Sequence, residues 1–296
     1  DTMPLKDILV HTDNSRNSEV RLEYATRLAE THEAYLTGLY VAASSPESVP
    51  SIRQAPNYIV PDLGGASLRD YEKKASELQS QYNDHARLAA EGAKYRFKEA
   101  SKERSVSNQW TYTQESMIDA LTHHARFCDV AVVGQPGPDS RRYFGESPTD
   151  HLILSVGHPV LVAPTLAEGF SVGKRIMIAW DRSPLATRAV HNSRPFLRHA
   201  DSVHILTINL KPEKQGEKPG SGICEHLARH DIEAKPIRLT SKADHLYDVI
   251  LAEAEELDID LIIMGAYGHS RLREQILGGN TYHLLNHSPI PMLMSH

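Results

Sequence analysis

Short apolar runs alternate with longer, mostly amphipathic segments along the whole chain. In the first half we predict five strands, over residues 7–12, 35–41, 109–114, 129–133 and 159–163. Helices are predicted between them, over residues 19–31, 68–103, 116–127 and 148–156. The second half repeats the pattern, with strands predicted near 175–180, 202–208, 234–239, 260–264 and 291–295. Runs such as 261–264 are apolar throughout, which is typical of parallel strands that are buried on both faces.

This regular alternation of strand and helix defines the fold class. It predicts an α/β protein with an open, doubly wound, Rossmann-like sheet in each half, made of mainly parallel strands with helices on both faces. Ligands of such sheets bind beyond the carboxyl ends of the strands, where the direction of the crossovers changes. The segment 44–65 interrupts the pattern with four prolines and is predicted to be a loop or lid.

The two halves of the sequence also resemble each other. Asp13 and Asp181 lie 168 residues apart, each two residues before a serine and just after a predicted first strand. Residues 128–137 match residues 259–268 at an offset of 131, and residues 149–162 match 281–294 at an offset of 132. A duplicated unit explains these matches in the same order. We therefore predict two domains, 1–165 and 172–296, joined through the linker 164–174.

Composition narrows the classes of protein that remain. The chain has 296 residues, and its formal net charge is −6, so it lacks the excess of cations that non-specific nucleic-acid binding requires. No apolar run reaches the length needed to span a bilayer. Cys128 and Cys224 stand alone, which is typical of a reducing compartment. We expect a soluble, cytoplasmic protein that binds neither nucleic acid nor membrane, and its 17 histidines await an explanation.

The most informative motif is a glycine-rich segment after the fourth predicted strand of the second half. Gly265-Ala-Tyr-Gly268 is followed after nine residues by Gly278-Gly279-Asn280-Thr281. Glycines at a strand-to-helix junction let main-chain amides approach a ligand and form an anion-binding nest at the start of the helix. The pattern favours a di- or triphosphate ligand, although glycines are also common in loops that bind nothing.

At these residues the sequence resembles the universal stress protein family, over essentially its whole length. The resemblance is carried by Asp13 and Asp181 with their trailing serines, by the strand–glycine junctions at Gly134 and Gly265, and by the closing strands Pro159-Val-Leu-Val and Pro291-Met-Leu-Met. It implies five-stranded sheets of strand order 3-2-1-4-5. It also implies that the closing strands, 159–163 and 291–295, pair within one chain as an internal pseudo-dimer, and further association into a homodimer stays open.

The nucleotide-binding members of that family carry Gly-x2-Gly-x9-Gly-Ser/Thr and bind ATP or a related adenine nucleotide, with or without Mg²⁺. Carried over by position, the resemblance implies the following cofactor-binding set: Asp181 near adenine and ribose, the main chain of Ile208 at the base, Met264, Gly265 and Gly268 at the ribose and phosphates, and the amides of Gly278, Gly279 and Asn280 at the phosphates. Gly279 departs from the pattern, since the family has a hydroxyl residue there, and Thr281 follows two residues later.

The first half departs further from the nucleotide-binding pattern. Gly134-Gln-Pro-Gly137 is followed by Gly145 after only seven residues, and Glu146 adds a negative charge where phosphates would lie. Three prolines remove amide donors from this region, namely Pro136, Pro138 and Pro148. We therefore expect nucleotide binding in the second half and a degenerate site in the first.

The sequence also contains candidates for a metal site, a helix cap and catalytic motifs. His283 and His287 have a spacing that suits two metal ligands, but a third ligand is missing, so a surface helix is favoured. Asp181 could act as a helix cap as well as a ligand contact. Neither a Walker loop nor a nucleophile elbow occurs. The favoured function is a non-catalytic, nucleotide-binding stress-response regulator, and the alternatives are a nucleotide-independent interaction protein and a slow ATPase with Asp181 holding Mg²⁺ or water.

Overall fold

The fold was analysed in a computed structural model of the chain, which describes residues 4–42, 68–136, 147–167, 169–212, 216, 218–243, 245–266 and 274–296. The elements of the first half are β1 (Asp7–Thr12), α1 (Arg16–His32), β2 (Tyr35–Val41), α2 (Leu68–Glu103), β3 (Asn108–Thr113), α3 (Met117–Ala125), β4 (Val130–Gly134), α4 (Pro148–Ser155) and β5 (Val160–Ala163). Those of the second half are β6 (Arg175–Ala179), α5 (Pro184–Leu197), β7 (Ser202–Ile208), α6 (Ser221–Ala228), β8 (Ala234–Leu239), α7 (Leu246–Glu256), β9 (Leu261–Gly265), α8 (Glu274–His287) and β10 (Met292–Ser295). The predicted loop 44–65 lies outside the described residues.

All ten strands belong to one sheet, in the order β3-β2-β1-β4-β5-β10-β9-β6-β7-β8. Each half has the expected order 3-2-1-4-5 and only parallel pairs, which confirms the α/β fold class. The two closing strands β5 and β10 pair antiparallel, with Leu161 opposite Leu293. The two five-stranded sheets are therefore continuous, and the carboxyl ends of their parallel strands face opposite edges.

The core lies on both faces of this sheet. One cluster contains Phe97 and Phe196 under α2 and α5, and the other contains Leu152 and Leu284 under α4 and α8. The central strands are buried over nearly their whole length, as the uninterrupted apolar runs require. None of the described helices is long and apolar enough to cross a bilayer.

A repeated aspartate anchors the first strand of each half. Asp129, just before β4, accepts hydrogen bonds from the amides of Lys6 and Asp7 at 2.6 and 3.0 Å. Asp260, just before β9, accepts hydrogen bonds from the amides of Lys174 and Arg175. These matched contacts hold β1 beside β4 and β6 beside β9, which sets the geometry of the carboxyl ends where a ligand would bind.

Candidate functional site

A cleft of about 320 Å³ opens at the carboxyl ends of β6, β7 and β9. It lies where the chain order of the sheet reverses, because β6 has β7 on one side and β9 on the other. This is the position at which open α/β sheets bind ligands. The lining residues are Ala179, Trp180, Asp181, Ser183, Leu185, Ala186, Leu206, Ile208, Leu246, Ile250, Met264, Gly265 and Thr281.

The structure brings four of the eight predicted site residues together in this cleft: Asp181, Ile208, Met264 and Gly265. Thr281 joins them, so a hydroxyl residue lies in the cleft although Gly279 replaces the one that the family pattern carries. Gly268 lies outside the described residues. That these residues contact a nucleotide remains a prediction.

Gly278, Gly279 and Asn280 are placed differently from the sequence expectation. Instead of lying in a loop, they belong to the second turn of α8, which begins at Glu274. Only the first amides of a helix are left without an intrahelical acceptor. In the first half, α4 begins at Pro148, the position that corresponds to Asn280. These three amides can therefore donate to a phosphate only if α8 begins at Asn280, the counterpart of the first residue of α4.

The walls of the cleft are mainly apolar, and its polar lining residues are Asp181, Ser183 and Thr281. Leu206, Ile208 and Met264 form part of the apolar surface. Asp181 is exposed, and its Oδ1 accepts a hydrogen bond from the Ser183 amide at 2.8 Å. Within the described parts of the chain, its second carboxylate oxygen makes no hydrogen bond. Ser183 itself caps α5, so Asp181 orders this turn and still presents a carboxylate to the cleft.

Gly265 allows β9 and α5 to approach each other beside the cleft. A Cβ atom at this position would lie 2.6–2.8 Å from Leu185 and the Ala186 amide. We expect Gly265→Ala to lower the free energy of unfolding by about 2 kcal/mol, because α5 would have to move. Urea unfolding measures this change. Gly222→Ala is the control, since nothing lies within 4 Å of a Cβ there, and an equal loss in both variants would contradict the close approach.

The corresponding place in the first half is filled by a buried arginine. Arg21 has a side chain only 5% exposed and pairs with Asp13 at 2.7 Å, and its Nε donates to the His11 carbonyl at 2.9 Å. Its guanidinium also lies against Gly134, where a Cβ would come within 2.7 Å of Nη1. The position that corresponds to Arg21 at the offset of 168 is Ala189, which is buried in α5. The second half therefore has an alanine at the position where the first half has Arg21.

Charge explains why the two matched aspartates behave differently. Burial by itself would raise the pKa of Asp13, but Arg21 and the hydrogen bonds from Ser15 outweigh it and hold that pKa below its ordinary value. The Asp13 carboxylate is thus already paired with the Arg21 guanidinium. Asp181 has no described cation partner, so its carboxylate remains available to the hydroxyls of a ligand.

Other side chains also occupy the first-half site. His11 takes the place of Ala179, and the strand register places Val41 where the second half has Ile208. Tyr40 packs with Ala90 and Ala93 of α2. The Asn14 side-chain amide donates to the Ala89 carbonyl at 2.9 Å, so α2 is tied across the loop that follows β1. That the first-half site is degenerate remains a prediction.

Two further candidates from the sequence supply no chemistry to the cleft. His283 and His287 stack on each other, and in the described residues no three metal-ligating side chains are grouped to hold a metal ion. Burial raises the pKa of the Cys128 thiol to about 12, so this cysteine is not a nucleophile at neutral pH.

The fold and the cleft together define a doubly wound α/β protein with a ligand cleft at the switch point of its second half. Residues 173–296 match the model of the Universal stress protein family. Over 300 residues the chain is 26% identical to a universal stress protein from Synechocystis sp., covering 98% of this chain and 99% of the relative. Residues 173–296 therefore form a universal stress protein domain, and the chain as a whole is similar to a universal stress protein, as its sequence motifs led us to expect.

Solved structures agree with this fold over the full length. A universal stress protein from Archaeoglobus fulgidus superposes with a TM-score of 0.68 at 18% identity, covering 98% of this chain and 95% of that one. A putative universal stress protein from Pseudomonas aeruginosa gives a TM-score of 0.57 at 14% identity, covering 98% and 93%. At such identities the similarity establishes the fold and leaves the ligand to be argued from the cleft.

Proposed function

We propose that the second half binds ATP or a related adenine nucleotide in this cleft and that the chain is a non-catalytic regulator of the stress response. The observation that carries the proposal is the contrast between the two matched sites. Asp13 is neutralised by Arg21, and the next residue, Asn14, is hydrogen-bonded to α2, whereas Asp181 opens onto a mainly apolar cleft and has no cation partner among the described residues. The site at Asp181 is therefore open to a ligand, and at the site of Asp13 side chains of the protein occupy the corresponding space.

The cleft residues suit the parts of a nucleotide. Ile208, Met264 and Leu246 offer an apolar surface for the base, and the Asp181 carboxylate can accept hydrogen bonds from ribose hydroxyls. Thr281 adds a hydroxyl to the cleft, and this hydroxyl can donate a hydrogen bond to a phosphate oxygen. The apolar majority of the walls favours a base over a purely anionic ligand.

The same residues argue against ATP consumption. Asp181 is the one carboxylate among the described lining residues, and no lysine, arginine or histidine is among them. Phosphoryl transfer relies on cations and metal ligands placed around the transferred group. Mg²⁺ would reach the site with the nucleotide phosphates and take at most Asp181 from the described lining. A slow ATPase and a nucleotide-independent interaction protein are the two alternatives to be tested.

We further propose that the first half, residues 1–165, is a second domain of the same family whose site is closed, and that residues 172–296 form the binding domain. Pairing of β5 with β10 would then be an internal version of an interface between two domains. On this proposal the protein acts in the cytoplasm. A nucleotide would change the surface near α8 and so affect a protein partner.

Asp181→Asn tests the binding proposal directly. We expect the affinity for ATP to fall about 10- to 100-fold, because a charge-assisted hydrogen bond to the ribose is weakened while the amide oxygen can still accept from Ser183. Calorimetric titration with ATP, with and without Mg²⁺, measures the affinity. Trp180 in the cleft provides a second signal in a Trp110→Phe background, since the chain has only 2 tryptophans.

Asp201→Asn is the charge-matched control, because Asp201 is exposed before β7 at the opposite edge of the sheet. It should leave the affinity for ATP unchanged. If the unaltered protein shows neither heat nor a fluorescence change with ATP, the nucleotide proposal is wrong and the interaction protein becomes the better explanation. Repeated release of phosphate from bound ATP would instead establish the slow ATPase.

A further inference from the structure

Four aromatic rings form a stacked column beside the cleft. His245 stacks on Tyr247 with ring centroids 5.0 Å apart, and Tyr247 stacks on His283 at 3.5 Å. His283 in turn stacks on His287 at 4.3 Å, with interplanar angles of 14° to 24° along the column. Three of the four rings are imidazoles. The column joins the start of α7 to α8, two elements that are separate in sequence.

The stacked residues are chain neighbours of residues that line the cleft. Leu246 lies between His245 and Tyr247 and lines the cleft, as does Ile250 one turn further along α7. Thr281, which lines the cleft from α8, lies two residues before His283. Separation of the column would therefore move the α7 wall and the α8 wall relative to each other.

The charges that face the column make it sensitive to protons. Burial lowers the pKa of His283, and His287 and His245 lower it further, while Asp248 acts in the opposite direction. His287 Nδ1 lies 3.0 Å from the His283 carbonyl, which holds the two rings together. Asp248 is the one carboxylate that acts on His283 in the described part of the chain, and it cannot neutralise three imidazolium groups, so two neighbouring charges would repel each other across a stacking distance.

We propose that this column is a proton-sensitive fastener that joins α7 to α8 while its imidazoles are uncharged and releases them when more than one becomes protonated. The effect on ligand affinity rests on the proposed nucleotide function, but the release itself does not. Histidine titrates in the range of physiological pH, so acidification of the cell would loosen one wall of the cleft. This assigns a role to three of the 17 histidines.

Hydrogen–deuterium exchange on the full chain without nucleotide tests the fastener. The protection of α8, corrected for the intrinsic pH dependence of exchange, is compared at about pH 7.5 and about pH 5.5. We expect it to fall about fivefold at the lower pH in the unaltered protein, as repulsion between adjacent charges at this distance implies. In His283→Phe, which keeps a stacking ring without a titratable group, the fall should be less than about twofold.

The control is His151→Phe, because His151 corresponds to His283 in the first half and lies on α4. In this variant the protection of α8 should depend on pH as it does in the unaltered protein. The protection of α5, which is not part of the column, should also be the same in the two proteins. The proposal is overturned if the protection of α8 is the same at both pH values, or if His283→Phe loses as much protection as the unaltered protein.

Calorimetric titration with ATP at the same two pH values tests the consequence for the ligand. High salt, about 0.5 M, screens the direct attraction between a histidine cation and the phosphates. The affinity should fall about fivefold more in the unaltered protein than in His283→Phe, and an equal fall in both or a rise at low pH would contradict the coupling. If ATP binds at neither pH, the proposed function fails, and hydrogen exchange still decides whether the fastener exists.

Discussion

Replacing Asp13 by asparagine is expected to lower the free energy of unfolding by about 3 kcal/mol, because it leaves the buried Arg21 guanidinium without its counter-charge. Arg21 is 5% exposed and pairs with Asp13 at 2.7 Å, so water cannot replace the lost carboxylate fully. The arginine keeps its hydrogen bond to the His11 carbonyl, which limits the loss. Urea unfolding followed by circular dichroism measures the difference.

The matched change in the second half serves as the control. Asp181→Asn alters an exposed aspartate without a described cation partner, so its effect on stability should stay within about 0.5 kcal/mol. Equal losses of stability in the two variants would mean that the ion pair between Arg21 and Asp13 does not contribute to the free energy of unfolding. The double change Asp13→Asn with Arg21→Met removes both charges and should recover most of the stability lost in Asp13→Asn alone.

Much of the fold could be predicted because the sequence repeats. Apolar runs such as 261–264 indicate a strand buried on both faces, and β9 is buried as expected. The matched aspartates Asp13 and Asp181 marked the ends of the first strands in both halves, and the structure places both there. Each of these inferences depends only on residues that are close in sequence, which is why they could be made without the structure.

The burial of Arg21 against Asp13 and Gly134 was not predicted, although a signal was available. The offset of 168 aligns Arg21 with Ala189, and an arginine on the helix face that otherwise presents Tyr24 and Leu28 is unusual. The expectation of a degenerate site rested instead on the prolines and Glu146 of the glycine loop. That Arg21 contacts Gly134 depends on two segments more than a hundred residues apart, and local pattern contains no such information.

The beginning of α8 was also beyond local reasoning. Gly278 and Gly279 each disfavour a helix by about 1 kcal/mol, and the family resemblance implied that the amides of Gly278, Gly279 and Asn280 are free to donate to phosphates. The structure begins the helix at Glu274. The histidines pose the same difficulty, since the spacing of His283 and His287 indicated only a surface helix. Their stacking partner Tyr247 comes from another helix, which only the fold brings close.

Acidification from about pH 7.5 to about pH 4.5 is expected to lower the free energy of unfolding by about 2 to 3 kcal/mol for each of two buried histidines. Burial, with Arg21 acting in the same direction and Asp13 against it, lowers the pKa of His11 to about 4. Burial and then His199 lower the pKa of His32 to about 4. Both have a ring nitrogen buried without a hydrogen-bond partner among the described residues.

The sign of the effect follows from which state binds the protons. The unfolded chain takes up protons on these histidines near pH 6.5, whereas the folded chain resists them until about pH 4. Stability is therefore complete above pH 6.5 and is lost progressively as the pH falls towards 4. The contribution of Asp13 does not interfere, because its pKa lies below its ordinary value of 3.8 and hence below this window.

His32→Phe separates one of these contributions. His32 packs edge-on against Phe196, with ring centroids 5.7 Å apart, so a phenyl ring suits the position and does not titrate. Urea unfolding at several pH values should show that the variant loses about 2 to 3 kcal/mol less than the unaltered protein over this range. His158→Gln, at an exposed position, should not reduce the acid-induced loss. If His32→Phe follows the same pH profile as the unaltered protein, His32 takes up its proton as readily in the folded chain as in the unfolded one, and burial does not control its charge.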